Sequence, residues 1–233
     1  MEINKEGYNN LVKELEGKAT LVAVSKTKSV EAIKELYDLG HRDFGENYVQ
    51  ELLQKQLVLP NDIRWHFIGH LQRNKVKYLI PFIYLIHGVD SYKLLEEIER
   101  SAARSKRTIN CLLQVHIAEE ETKFGFDQKE LMELVQTVPS NKEMNRLEYV
   151  NIKGLMGMAS FTENFPQVEK EFKYLKTLFD DAKAIVGSSF DTLSMGMSAD
   201  YEIALKEGSN MVRIGSLIFG ERRNPGLPDG LIV

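Results

Sequence analysis

Leu21-Val-Ala-Val-Ser-Lys26 is the stretch whose reading decides the fold. Apolar or small residues lead into a lysine, with Ala19-Thr20 before the run and Thr27-Lys28-Ser29 after it. A short apolar run bounded by turn residues reads as a buried strand. A lysine that closes such a strand keeps its stem in an apolar setting and its amine near the rim. Burial disfavours the ammonium form, so such an amine loses its proton more easily and becomes a nucleophile. That is the requirement for a Schiff-base lysine.

Outward from this strand the chain alternates. A helix is predicted over 3–17, ending near Gly17, and another over 30–39, stopped by Gly40. Strands are expected at 42–46, 63–69, 84–89, 110–118, 152–159, 190–197 and 211–219. Helices are expected at 48–57, 72–80, 90–106, 127–138 (capped by Asp127), 165–186 and 199–207 (capped by Ser198). Eight strands separated by helices predict a single (β/α)8 TIM barrel with an extra N-terminal helix; an open doubly wound sheet is the alternative. No linker or composition shift divides residues 1–233, so one domain is expected. The polar stretch 139–149 is expected to be a loop, and the turn-rich tail 224–230 irregular.

The chain has 233 residues, 43% hydrophobic and 27% charged, with a formal net charge of −4. It lacks the basic footprint of a nucleic-acid binder. Its single cysteine, Cys111, lies in an apolar run and reads as a core residue rather than a reactive thiol. No apolar run approaches the length of a membrane span, and the polar N-terminus is unlike a secretory signal. A cytoplasmic monomer is expected, with no nucleic-acid or membrane partner.

Catalytic groups of such a barrel stand at the C-terminal ends of strands, and the loops after strands seven and eight often hold a phosphate. Here those ends read Thr192-Leu-Ser-Met-Gly-Met-Ser198 and Val212-Arg-Ile-Gly-Ser216. Both carry hydroxyls next to glycines, which let an anion approach backbone amides. Arg213 shares side-chain parity with Gly215, so both face one side of the strand. A lysine amine, a phosphate cup and an inward arginine together suggest pyridoxal phosphate. The always-charged arginine would leave the pyridine nitrogen unprotonated, which weakens the electron sink.

The motifs Leu21-Val-Ala-Val-Ser-Lys-Thr-Lys28, Phe44-Gly-Glu-Asn-Tyr-Val-Gln50, Trp65-His-Phe-Ile-Gly-His-Leu-Gln72, Leu193-Ser-Met-Gly-Met-Ser198 and Val212-Arg-Ile-Gly-Ser-Leu-Ile-Phe-Gly220 resemble the pyridoxal phosphate homeostasis proteins. This is the YggS/PROSC family, similar to the N-terminal barrel of alanine racemase. The resemblance covers about residues 19 to 222. It implies a fold type III barrel that binds pyridoxal 5′-phosphate, with Lys26 as the cofactor lysine. It implies phosphate contacts at Ser194, Gly215 and Ser216, and a ring-nitrogen contact at Arg213. Asn47, His66, Met156 and Gly196 would complete the pocket. Ser216 stands where threonine is common, Leu217 for a usual alanine, and His116 for a frequent asparagine.

Alanine racemase takes its second base from a C-terminal domain, and this chain ends soon after its eighth strand. The expectation is therefore a non-catalytic carrier that holds the cofactor as a lysine imine and supplies apoenzymes; a low-activity racemase is the alternative. A phosphosugar aldolase fits poorly with a lysine on the first strand. Lys28 and Lys123 are candidate secondary imine sites, weaker than their reading as solvated loop lysines. His66 and His70 are not expected to bind metal, and Glu119-Glu-Glu121 reads as a solvated loop. The pair Met156 and Met158 reads as barrel core.

Overall fold

The computed structural model describes residues 3–118, 124–137 and 147–220. Glu119–Glu121, Lys123, residues 139–146 and the tail 224–230 lie outside them. Eight parallel strands close into a barrel in sequence order. They are β1 Thr20–Val24, β2 Asp43–Glu46, β3 Arg64–Phe67, β4 Leu85–Val89, β5 Ile109–Val115, β6 Val150–Gly157, β7 Thr192–Met197 and β8 Met211–Ile214. The open-sheet alternative is thereby excluded, since β1 pairs with β8 as well as β2, with Val22 opposite Arg213.

The helices are α1 Lys5–Leu15, α2 Val30–Asp38, α3 Val49–Gln56, α4 Val76–Leu79, α5 Tyr92–Ser105, α6 Gln128–Thr137, α7 Phe165–Val186, α8 Tyr201–Lys206 and α9 Ser216–Phe219. Several boundaries have a local cause. Asn4 caps α1 by accepting the Gly7 N–H, and Tyr8, Leu11 and Leu15 are buried at helical spacing along its face. Asp127 and Glu130 exchange side-chain and backbone bonds at the start of α6, which makes a capping box. Asn164 caps α7, Pro166 sits in its first turn, and Gly187 ends it at φ +99°.

The apolar side chains form two shells. Most lie between strands and helices, among them Phe44, Phe67, Phe172 and Phe190, all fully buried. A smaller set, Val22, Leu85, Leu112, Met156 and Met211, fills the barrel interior. Cys111 belongs to the outer shell, and burial pushes its thiol pKa well up, as expected of an inert core residue. Among the described residues, no helix is long and apolar enough to cross a membrane.

Four expectations are corrected. β1 ends at Val24, so Lys26 stands on a turn beyond the strand; Thr27 at φ +63° breaks the extended course. The expected helix 72–80 is a 3-10 turn, Arg73–Lys75, followed by the short α4. The expected strand 211–219 stops at Ile214 and becomes α9 after Gly215. Ser198 does not cap α8; the cap position is Asp200, whose carboxylate instead accepts the Met197 N–H at 2.6 Å.

Candidate functional site

A cavity of about 740 Å³ opens at the C-terminal end of the barrel. Val24, Lys26, Asn47, Ile68, Met158, Ser198, Arg213, Gly215 and Ser216 are among its lining residues. Five expected site residues therefore meet there: Lys26, Asn47, Arg213, Gly215 and Ser216.

His66, Met156, Ser194 and Gly196 are not on its wall. His66, Met156 and Ser194 have no exposed surface and point into the barrel below the cavity. In each case the residue that lines it lies further along the chain, at or past the strand end: Ile68 beyond His66, Met158 beyond Met156, and Met197 and Ser198 beyond Ser194. Gly196 differs. The β7–β8 register shifts between Ser194 and Met197, and Gly196 takes φ +95° in that irregularity. A Cβ there would meet Ala204 of α8 at 2.6 Å, so the position faces the helix layer.

A continuous run of five buried polar groups descends from Arg213 on the cavity wall into the barrel. Arg213 Nη1 donates to Ser194 Oγ at 2.6 Å. Ser194 Oγ lies 3.1 Å from His87 Nδ1, and His87 Nε2 lies 2.9 Å from His66 Nδ1. His66 Nε2 lies 3.0 Å from Asp43 Oδ1, which also accepts from Arg64 Nε at 2.7 Å. Burial holds both histidines below the usual imidazole range, against the pull of Asp43 on His66; His66 and Arg213 lower His87 further. For Asp43, burial pushes upward, but Arg64 and His66 outweigh it and hold the carboxyl well below its usual range.

The two ends then fix every donor. Asp43 is acceptor-only, so His66 donates from Nε2 and accepts at Nδ1. His87 donates from Nε2 and accepts at Nδ1, and the Ser194 hydroxyl donates to it while accepting from Arg213. Burial lowers the Arg213 pKa to about 10, with Asp200 opposing, so the guanidinium stays charged near neutrality. Its Nη2 donates to the Gly157 carbonyl at 3.0 Å and Nη1 also to the Ser194 carbonyl at 2.8 Å. These bonds lock the guanidinium beside the cavity.

The Lys26 turn is held from outside the barrel. Thr27 is β-branched and left-handed, a conformation that costs about 1–2 kcal/mol. Its N–H donates to Glu51 Oε1 at 2.6 Å. Glu51 pairs with Lys55 at 2.7 Å, and Lys55 Nζ also donates to Glu46 Oε1 at 2.7 Å and to the Ser25 carbonyl at 2.8 Å. Lys28, weighed from sequence as a secondary imine site but read in preference as a solvated loop lysine, donates at 3.0 Å to the carbonyls of both Phe219 and Gly220 at the end of α9. On the opposite wall, Glu171 of α7 holds Ser160 by accepting its N–H at 2.6 Å and its hydroxyl at 2.7 Å.

A cofactor of the pyridoxal phosphate type requires an amine, an anion cup and a fixed donor around one cavity. Lys26, the Ser198 and Gly215–Ser216 loops and Arg213 supply them. Oδ1 of Asn47, a lining residue, is buried and has no hydrogen-bond partner among the described residues. The residues fit the group. Sequence reasoning missed Ser198 as a wall residue, whose Oγ accepts the Gly215 N–H at 3.3 Å and joins the two loops.

Residues 5–223 match the family of alanine racemase N-terminal domains. A curated relative from Aquifex aeolicus, named pyridoxal phosphate homeostasis protein, is 41% identical over 88% of each chain. The human protein of that name is 41% identical over 87% of this chain and 76% of its own length. Among solved structures, PipY of Synechococcus elongatus, described with pyridoxal phosphate bound, superposes with a TM-score of 0.82 at 34% identity. It is covered over 99% of its length, and 92% of this chain is matched. Alanine racemase of Clostridium difficile shares the fold at 16% identity and a TM-score of 0.74, with 98% of this chain matched to 60% of that one.

Proposed function

The chain belongs to the family of pyridoxal phosphate homeostasis proteins, and from that premise we propose that it holds pyridoxal 5′-phosphate in the cavity at Lys26 and supplies it to apoenzymes. One observation carries the reading. Lys26, the charged Arg213 and the Gly215–Ser216 loop, drawn from the first and last strands, line one cavity. The cofactor supplies an aldehyde that condenses reversibly with amines, and that reversibility suits a carrier.

The chain's own residues divide the work. Lys26, half-buried on its turn, is the amine that would hold the aldehyde. Ser198, Gly215 and Ser216 would hold the phosphate through hydroxyls and backbone N–H groups. Arg213 would donate toward the ring nitrogen. Guanidinium has no proton to give up near neutrality, so that nitrogen would carry none. Ile68, Met158 and Met197 present apolar surface to the ring and exclude water from it.

Titration of the purified protein with pyridoxal phosphate tests the reading. Absorbance in the near-ultraviolet to violet should appear, and borohydride should fix one cofactor onto Lys26. A colourless wild-type protein, or an unaltered spectrum in Lys26→Ala, would overturn it. Exchange of amino-acid α-protons in heavy water measures the racemase alternative directly.

A further inference from the structure

We propose that Glu51 and Lys55 are positioning residues for Lys26, fixing the peptide groups on both sides of it so that its amine is aimed into the cavity. The proposal rests on the reading of Lys26 as the cofactor amine. Neither residue lines the cavity: both lie on α3, one turn apart, behind the turn that carries Lys26.

The geometry is specific to that turn. The residue before Lys26 offers its carbonyl to Lys55 Nζ at 2.8 Å, and its hydroxyl donates to Glu46 Oε1 at 2.6 Å. The residue after it, Thr27, gives its N–H to Glu51 Oε1 at 2.6 Å. The same Glu51 oxygen and the same Glu46 oxygen both accept a hydrogen bond from Lys55 Nζ. One ammonium thus ties together the two anchors that flank Lys26. Its side chain is 6% exposed, and those of Glu46 and Glu51 are 0% and 23% exposed, so water does not compete strongly for these bonds.

The backbone outlier gives the arrangement its direction. A left-handed β-branched residue persists only where its surroundings over-determine it, and such residues gather where a geometry is needed for function. Without the Glu51 acceptor, Thr27 would relax toward an extended course, and Lys26 would follow the line of β1 instead of turning at the rim.

The test uses the full chain and free pyridoxal, which lacks the phosphate and so reports the amine alone. Borohydride reduces the C=N bond formed, and peptide mapping gives the labelling rate at Lys26. Inorganic phosphate affinity is measured in parallel as an independent reading of the cup. Glu51→Ala should label about ten-fold more slowly, the equivalent of one charge-assisted hydrogen bond of about 1.4 kcal/mol. Glu51→Gln keeps an acceptor for the Thr27 N–H and should stay within about threefold of wild type. Phosphate affinity should be unchanged in both. Wild-type labelling in Glu51→Ala overturns the proposal, as does a parallel loss of phosphate binding, which would mark a general structural role. Failure of the wild-type protein to label at Lys26 would instead overturn the reading beneath it.

Discussion

The hydroxyl of Ser194 lies 2.6 Å from Nη1 of Arg213, and neither the hydroxyl nor its residue reaches the cavity wall. Ser194→Ala should therefore act on stability rather than on anion binding. It leaves the buried His87 Nδ1 without its donor, a loss of about 1–3 kcal/mol. Urea denaturation would show a lower midpoint, with inorganic phosphate affinity within about twofold of wild type. A large drop in phosphate affinity at unchanged stability would return Ser194 to the anion cup.

Stability should fall as pH drops below about 6.5. Burial is the main force holding His41, His66 and His87 below the usual imidazole range, so the folded chain resists protons that the unfolded chain accepts. More protons bound in the unfolded state means stability rises with pH through that window, by up to about 1.4 kcal/mol per pH unit for each histidine. The depressed Asp43 carboxyl adds a second loss with the same sign below about pH 4. Melting temperatures at pH 7.5, 6 and 5 should descend, and His87→Asn should flatten the descent. A flat profile in wild type would contradict neutral buried imidazoles.

Gly154→Ala should prevent or severely weaken folding. Gly154 sits at φ +156° opposite Thr192, and a Cβ would come within 1.7 Å of the Thr192 carbonyl oxygen. Backbone cannot yield there without opening the β6–β7 pairing, so a cost above about 4 kcal/mol is expected. Circular dichroism against temperature would show it, and a melting point near wild type would refute it.

Lys28→Ala should loosen the join between the Lys26 turn and α9. It removes two hydrogen bonds to carbonyls from one partly buried ammonium. A loss of about 1 kcal/mol is expected, discounted for solvent. Borohydride trapping of wild-type protein should leave Lys28 unmodified, and mapping a cofactor adduct to it at a level comparable with Lys26 would contradict its role as a tether.

The barrel was legible because period and punctuation agree in nearly every segment: the Asp127 cap, glycine stops, and apolar runs short enough to be strands. Depth was not legible. Alternation tells which side of a strand a residue faces, and His66, Met156 and Ser194 do face inward. How far along the strand the filled interior gives way to an open mouth depends on strand tilt and stagger, which no single strand encodes. Each of these expected residues therefore fell below the wall. Gly196 escaped parity altogether, because the register shift in β7 turns its backbone toward α8. The polar chain from Arg213 to Asp43 was equally hidden, since its members come from five strands far apart in sequence.

The tether from Lys28 to Phe219 joins residues 191 positions apart, alongside the pairing of Val22 with Arg213. Contacts of such separation form late, after shorter loops have closed. The walls that carry Lys26 and Arg213 thus come together only once the first and last strands have paired. A nascent or partly unfolded copy still carries lysine amines that condense with an aldehyde, but it lacks the cavity, so retention in that cavity, rather than capture itself, reports a closed barrel.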